Sequence, residues 1–365
     1  MKIGYISPTD PHLDVKAWSG SYYNICQALE EEGHDVEWVK YGHLLDKVIA
    51  KIYRLFYGKQ GHYTHSRIAS FYHGWTIKSN LEEFDLIFVP GQIEVVAGLK
   101  TKTPIVYYSD ATIPLMTDYY WFGLKRRAIK EAKKIEKKGL EKAKYCLFAS
   151  EWAKASALTD YGIEPEKLKV FPFGPGVKST YTGKINNPIS DLKLFFSGVE
   201  WERKGARIAV DTVKELNERG INSTLMMCGL KEVPLSVLNE KYIENLGFLD
   251  KNNPKDLAKY QKCWEQANIF ILPTRAECAG IVFSEAVSYG VPSLTTDTGG
   301  ISSYVKNGIN GKRLPLEATY LDYADCIEKW LQDGTLQILS NNAREYFEDN
   351  ISWKVWGKRF SDLCS

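Results

Sequence analysis

Glu277 and Glu285 are the side chains best spaced to act together on a ligand, with seven residues between them and Gly280 in that interval. Ahead of them an apolar run, Ile269 to Leu272, closes on Pro273-Thr274. The small-residue loop Cys278-Ala279-Gly280 then leads into a helical segment from Ile281 that stops at Gly290, with Pro292 just beyond. Glycine at the end and proline after it mark a C-capped helix. A loop without bulky side chains at a helix N-terminus offers backbone N–H groups and the positive end of a dipole, a setting that suits phosphate. Two carboxylates there would repel phosphate, so their place is on hydroxyls to either side of it. A diphosphate between two hydroxyl-rich sugars is a nucleotide sugar.

Three further groups fit such a ligand. The strand-like run Leu194 to Phe196 ends at Ser197-Gly198, and the loop from Val199 to Gly205 carries Arg203 and Lys204 into the next helix. Arginine can fork onto phosphate oxygens and lysine acts as a point charge; a solvated basic turn is the plainer role. Near the N-terminus the loop Ser7 to Gly20 ends in Trp18-Ser19-Gly20 before a helix. Gly20 permits close backbone approach to phosphate, although Ser19-Gly20 also serves as an ordinary helix start. Asp110 follows the run Ile105 to Tyr108, where it either faces a ligand or caps the turn ahead of Thr112 and Pro114.

The Glu277–Glu285 segment resembles the donor site of family-4 retaining glycosyltransferases of GT-B fold (group 1 type), which carry an E-x7-E motif. The resemblance covers nearly the whole chain and is most specific over residues 197–205 and 270–311. It implies that Glu277 contacts the transferred sugar and Glu285 the ribose. The amides of Ala279, Gly280, Ile281 and Val282, after Cys278, would meet the sugar and diphosphate. Lys204-Gly205 matches the family's Gly-to-Lys-Gly loop. The family's arginine directly after the first glycine is replaced by Val199, leaving Arg203 to act from the far side. Ser19 and Gly20 would cover the diphosphate from the first domain, and the regions of Gly229 and Leu249 would line the base pocket. Asp110 stands where many relatives place a histidine, and would orient an acceptor hydroxyl or stabilise oxocarbenium charge.

The implied activity is metal-independent transfer of a sugar, with retention, from a nucleoside-diphosphate sugar to a hydroxyl of a glycan or lipid-linked acceptor, with no cofactor. No D-x-D triplet occurs, as a metal-dependent GT-A transferase would require, and there is no P-loop and no G-x-G-x-x-G after the first strand. The rivals are a GT-B nucleotide-sugar epimerase or phosphorylase, and a catalytically silent homologue that binds a glycan or a partner protein.

The elements that must position these groups follow from the β-type runs. Lys2–Ile6, Val36–Val39, Leu86–Val89, Ile105–Tyr108 and Tyr145–Ala149 form one series. Leu194–Phe196, Ser223–Met227, Ile269–Leu272 and Ser293–Thr296 form a second. Helical stretches between them, Ser21–Glu32, Leu124–Lys144, Ala206–Arg219 and Pro254–Gln266 among them, predict an α/β chain with parallel sheets. The length of 365 residues suits two domains. The expected boundaries are 1–173 on the acceptor side and 190–349 for the nucleotide sugar, joined by a Gly/Pro-rich linker over 174–189 that includes Gly183 and Pro188. GT-B resemblance implies two Rossmann-like domains facing across a cleft, with the tail 350–365 crossing back through Trp353, Trp356, Phe360 and Leu363.

Composition narrows the setting. Charged residues are 25% and apolar ones 44%, ordinary for a globular enzyme, and no apolar run approaches the roughly 20 residues of a membrane helix. Seven scattered cysteines without a C-x-x-C pair point to reduced thiols in the cytoplasm. Residues 125–144 carry ten Lys/Arg against three Glu in a chain of net charge +2. This amphipathic basic helix is either a solvated face or a peripheral contact with the anionic inner face of a membrane. Nucleic acid is not expected as a partner. The aromatic residues from Tyr53 to Trp75 read first as core and secondly as an acceptor-lining cluster. His62 and His65 form an H-x-x-H without a third ligand, and no metal is assigned.

Overall fold

The computed structural model describes residues 1–58, 63–181 and 190–365. His62, Gly183 and Pro188, with the later half of the expected linker, lie outside them. The β-type runs pair only in parallel, in two separate six-stranded sheets. The chain divides into two units, Met1–Pro172 with Trp356–Ser365, and Phe173–Val355.

In the first unit β1 (Lys2–Ile6), β2 (Asp35–Val39), β3 (Leu86–Pro90), β4 (Ile105–Ser109), β5 (Tyr145–Phe148) and β6 (Leu168–Val170) lie in the order β2-β1-β3-β4-β5-β6. Both central strands, β3 and β4, are buried along their whole length. That is why they read as unbroken apolar runs: helices cover both faces of a parallel sheet. The helix Trp353–Cys364 sends Trp356 and Phe360, nearly parallel at 5.5 Å, onto Phe88 at 6.0 and 5.5 Å. Gly357 is required there, since a Cβ would stand 2.6 Å from the Ala28 carbonyl oxygen.

In the second unit β7 (Leu192–Ser197), β8 (Ser223–Cys228), β9 (Ile243–Asn245), β10 (Ile269–Leu272), β11 (Ser293–Thr296) and β12 (Gly311–Leu314) lie in the order β12-β11-β10-β7-β8-β9. Phe195, Trp264 and Phe270 fill its core, with Phe195 edge-on to Trp264 at 4.6 Å. Phe173, expected to end the first domain, and residues 174–181 of the expected linker are tied into this unit. The Phe173 amide donates to the Tyr304 hydroxyl at 3.0 Å, Ser179 Oγ to the Ser288 carbonyl at 3.1 Å, and the Thr180 amide to the Tyr289 hydroxyl at 3.2 Å. At the other end Trp353 Nε1 donates to the Pro175 carbonyl at 2.8 Å, so the tail joins the first unit only from Trp356 on.

Three strands escape the sequence pattern: β6, β9 and β12. Each is an outermost strand of three or four residues, and each carries a charged residue (Leu-Lys-Val, Ile-Glu-Asn, Gly-Lys-Arg-Leu). Short, charged edges are how sheets end without inviting further pairing, and they leave no apolar run to find.

Candidate active site

In each sheet the chain starts near the middle and winds outward in two directions, so loops diverge where the order reverses. Open parallel sheets bind ligands in that crevice, at the carboxyl ends of the strands. In the second unit the reversal lies between β7 and β10, and the two loops singled out from sequence are the ones that leave there.

The β7 loop is pressed against the end of β10. Gly205 has φ +66°, and a Cβ on it would stand 2.0 Å from the Pro273 carbonyl oxygen. The Arg203 carbonyl accepts from the Arg275 amide at 2.7 Å and from Thr274 Oγ1 at 3.1 Å. The Arg203 guanidinium, expected on phosphate, is held instead by Glu200 at 2.7 and 3.1 Å and donates to the Ala276 carbonyl at 3.2 Å. Its hydrogen bonds hold the Glu200 carboxyl below the usual range. Arg203 therefore shapes the turn that carries Glu277. Val199, in the place of the family's arginine, stands exposed at 43%.

Lys204 forms an ion pair with Glu277, each side chain only 11% exposed. Sequence reading placed both on the donor but did not foresee that they meet. Gly300 donates its amide to the Glu277 carbonyl at 3.1 Å, which fixes the loop from its far side. Gly280, at φ +80°, opens the helix Ile281–Ser288 as its N-cap, and its Cβ would strike the Phe283 ring at 2.6 Å. The first amides of the helix, those of Ile281 and Val282, have no acceptor within the helix itself. The C-terminal stop falls where the sequence predicts it, with Gly290 at φ +68°.

Glu285 is completely buried. One carboxylate oxygen accepts from Lys251 Nζ at 2.8 Å, and the other accepts from the Tyr260 hydroxyl. Burial and the Glu285 charge hold the Tyr260 phenol protonated, its pKa well above the ordinary value. Sequence analysis missed Lys251 and Tyr260. The only signal for Lys251 was its place two residues after Leu249, in the loop expected to face the base. Ser197 Oγ lies 3.3 Å from the Tyr260 hydroxyl, and Gly198 packs against the Lys204 stem on one side and Gly229 (φ +88°) on the other. Glu277, Lys204, Gly198, Ser197, Tyr260, Glu285 and Lys251 thus form one continuous rim at the ends of β7, β8 and β10. Leu249 is buried at 9%, and the Gly229 amide donates to the Gly247 carbonyl at 2.9 Å.

In the first unit the order reverses between β1 and β3. The loop after β1 ends in three consecutive left-handed residues, Trp18 (φ 50°), Ser19 (φ 56°) and Gly20 (φ 83°). Left-handed backbone on two non-glycine residues costs on the order of 1 kcal/mol each and is typical of ligand-facing turns. The Trp18 ring holds the turn by packing on Tyr22 at 5.3 Å and Tyr108 at 6.0 Å. Asp110, at the end of β4, is half-buried in the same corner. Burial pushes the Tyr22 phenol up, and the Glu94 and Asp110 carboxylates push it further. Asp110 thus lies near Tyr22, on which the Trp18 ring of the left-handed turn packs.

Comparison with known proteins bears on the family and the fold. The sequence profile described as "Glycosyl transferases group 1" matches residues 178–348, and that described as "Glycosyltransferase Family 4" matches residues 21–174. Granule-bound starch synthase 1 of Pisum sativum is 31% identical over 207 residues, 52% of this chain and 34% of the synthase. The capsular polysaccharide biosynthesis glycosyltransferase CapM of Staphylococcus aureus is 24% identical over 286 residues, 73% of this chain and 71% of CapM. The chain thus spans about a third of the length of the starch synthases it matches (34% and 35%). Among solved structures, sucrose-phosphate synthase from Thermosynechococcus elongatus superposes with a TM-score of 0.69 at 16% identity, over 100% of this chain and 98% of that one. Anabaena HepE in complex with UDP superposes with a TM-score of 0.64 at 14% identity, over 99% of both chains. The chain belongs to the group 1 glycosyltransferases of GT-B fold.

Proposed function

We propose that this chain transfers a sugar from a nucleoside-diphosphate sugar to a hydroxyl of a glycan or lipid-linked acceptor, with retention at the anomeric carbon and without a metal ion. The observation that carries this reading is the rim at the ends of β7, β8 and β10, in which two buried carboxylates, Glu277 and Glu285, flank a glycine-capped helix start and each carries its own lysine.

On this reading a donor's diphosphate takes Lys204 away from Glu277 and adds the amides of Ala279, Gly280, Ile281 and Val282. Charge grows on the diphosphate as the sugar leaves, and preorganised donors stabilise that charge without having to reorient. The freed Glu277 accepts from hydroxyls of the transferred sugar. Glu285 keeps lone pairs beyond those used by Lys251 and Tyr260, and these accept from the ribose. Cys278 supplies only backbone, Gly229 and Leu249 border the base, and Arg203 keeps the loop in shape. In the first unit the left-handed turn at Ser19 and Gly20 offers backbone to a phosphate, and Asp110 is the group there able to orient an acceptor hydroxyl or offset positive charge. Lys204 and the amides meet the diphosphate charge in place of a divalent ion.

Relatives support the substrate class. HepE was solved with UDP and glucose, and CapM is named for capsular polysaccharide biosynthesis; UDP is therefore the first nucleotide to test. A role at an anionic membrane is part of the proposal. A groove of about 400 Å³ on the helix Arg126–Lys142 is lined by five cations, Arg126, Lys130, Lys133, Lys134 and Lys137, with Ile129, Tyr161 and the single acid Asp160, a net positive face suited to lipid phosphates.

The test is a melting curve with UDP, GDP, ADP and dTDP in a chelator. One of them at a hundred times its Kd adds roughly 2.7 kcal/mol. Lys204→Ala is expected to remove most of that shift, and Glu277→Gln to keep it while abolishing sugar transfer. If no nucleotide shifts the folded protein, the reading gives way to a silent homologue.

A further inference from the structure

We propose that the helix Asp46–Tyr57 is an interfacial membrane anchor, whose uncovered apolar stripe beds into the acyl boundary of an anionic bilayer while neighbouring cations meet lipid phosphates. This rests on the membrane role proposed above, and adds to the basic helix a second face that inserts.

One side of the helix is held by the fold. Asp46 accepts from the Tyr63 hydroxyl at 3.1 Å and lies 3.0 Å from His73 Nε2 and 3.1 Å from His43 Nδ1. Tyr53 is buried, stacks on Tyr57 at 4.2 Å and donates to Glu131 at 3.4 Å. The opposite side is bare. Val48, Ile52, Leu55 and Phe56 are 56%, 47%, 80% and 74% exposed. They recur at i, i+4, i+7 and i+8, one continuous stripe of a helix. One residue earlier in the same rhythm stand Lys47, Lys51 and Arg54, all exposed, so a basic stripe runs beside the apolar one.

The helix Arg67–Thr76 likewise leaves apolar side chains in solvent, with Ile68, Phe71 and Trp75 48%, 70% and 73% exposed. Of the 22 large apolar side chains exposed among the described residues, nine lie within residues 44–75. Single exposed apolar residues need no explanation, but such concentration marks an interaction surface. Cations also rim its far end. The Lys125 side chain lies against Gly58, and Arg127 and Arg67 stand near the Tyr57 phenol, whose pKa the Glu131 carboxylate raises against their pull.

The charge pattern selects the occupant. The helix Asp46–Tyr57 has Asp46 as its one acid, already held by two histidines and a tyrosine, and Arg67–Thr76 has none. Two copies of this face would bring lysine against lysine, and protein interfaces are depleted of lysine. Apolar residues flanked by Lys/Arg and rich in Leu, Phe and Trp are the composition of a helix lying in a bilayer interface.

The test is co-flotation of the full chain with phosphatidylcholine vesicles, with and without phosphatidylglycerol, across a salt series, alongside light scattering for oligomeric state. Wild type is expected to float with the anionic vesicles and to retain part of its binding at high salt. Leu55→Ser/Phe56→Ser is expected to lower the bound fraction about tenfold, with unchanged melting temperature and nucleotide response, because both side chains face solvent. If that variant floats like wild type while Lys130→Glu/Lys134→Glu releases, the anchor is overturned and the basic-helix contact stands. If wild type floats with no vesicle, both fall. If the variant instead dissolves a dimer that ignores vesicles, the face is a contact between copies and the anchor is overturned.

Discussion

Lys204 and Glu277 neutralise each other in a place where neither can stay unpaired. Removing one partner of a buried ion pair leaves a desolvated charge, whereas handing each to a ligand does not. On the proposed reading the donor makes that exchange, so the pair gives the diphosphate and sugar a ready-made partner each. A different buried acid governs stability. Glu136 lies on the helix Arg126–Lys142, accepts from the Ile113 amide at 2.8 Å and from the Tyr161 hydroxyl, and is 2% exposed. Burial raises its pKa to about 7 against the opposing pull of those hydrogen bonds. The folded state therefore holds this proton more tightly than the unfolded chain. Its contribution is full below about pH 4.5 and is lost as pH rises through about 7, some 3 kcal/mol across that window. Glu136→Gln keeps an oxygen for both donors without the charge, so its melting temperature is expected to gain on wild type from pH 5 to pH 8. A gap that does not change with pH would show that Glu136 ionises freely in the fold.

At the scale of elements, the loop between β7 and its helix works because its last residue has no side chain. Gly205→Ala would set a Cβ 2.0 Å from the Pro273 carbonyl oxygen at φ +66°. Backbone cannot yield as a flexible side chain can, so a loss on the order of 3 kcal/mol or more is expected. Gly220→Ala is the control, with φ +83° and nothing within 4 Å, and is expected to cost only about 1 kcal/mol. Chemical denaturation of both variants separates clash from backbone strain; equal losses would mean that the close packing of the loop on β10 is not what requires glycine. The aromatic segment Tyr53 to Trp75 splits along the same lines. Tyr53, Tyr63 and Tyr72 are buried, and Phe56, Phe71 and Trp75 are exposed. Neither reading made from sequence covers all of it, because aromatic content alone does not say which helix face is covered.

For the molecule as a whole, the C-terminal helix is the segment that returns to strands, β3 and β4, more than two hundred residues back in the chain. Trp356 packs on Phe88, Tyr108, Phe171 and Phe360 and is 2% exposed. Trp356→Ala is expected to cost the first unit about 3–5 kcal/mol. The donor rim belongs wholly to the second unit, so the nucleotide-induced shift should survive in the second unit's melting transition. Loss of nucleotide response in a protein whose second unit still melts cooperatively would place part of the nucleotide's binding energy outside that rim. No helix among the described residues is long and apolar enough to cross a membrane.

Nine of the twelve strands were legible from sequence alone, the short charged edges β6, β9 and β12 being the exceptions. Buried parallel strands such as Ile269–Leu272 and Ser293–Thr296 are apolar or β-branched runs bounded by glycine and proline, and their limits follow from those residues. The loops bearing Lys204, Glu277 and Gly280 were legible for the same reason, as were the glycines that open and close the helix between them. Only the tertiary structure decided which charges meet. Lys204 and Glu277 are 73 residues apart, Lys251 and Glu285 34 apart, and Tyr260 and Glu285 25 apart. Those contacts depend on β7 lying beside both β8 and β10, a pairing that no local pattern encodes. The tertiary structure likewise turned Arg203 inward to the Ala276 carbonyl and left Val48, Ile52, Leu55 and Phe56 uncovered. Periodicity shows that a helix has an apolar stripe, but only the packing of its neighbours determines whether that stripe is covered.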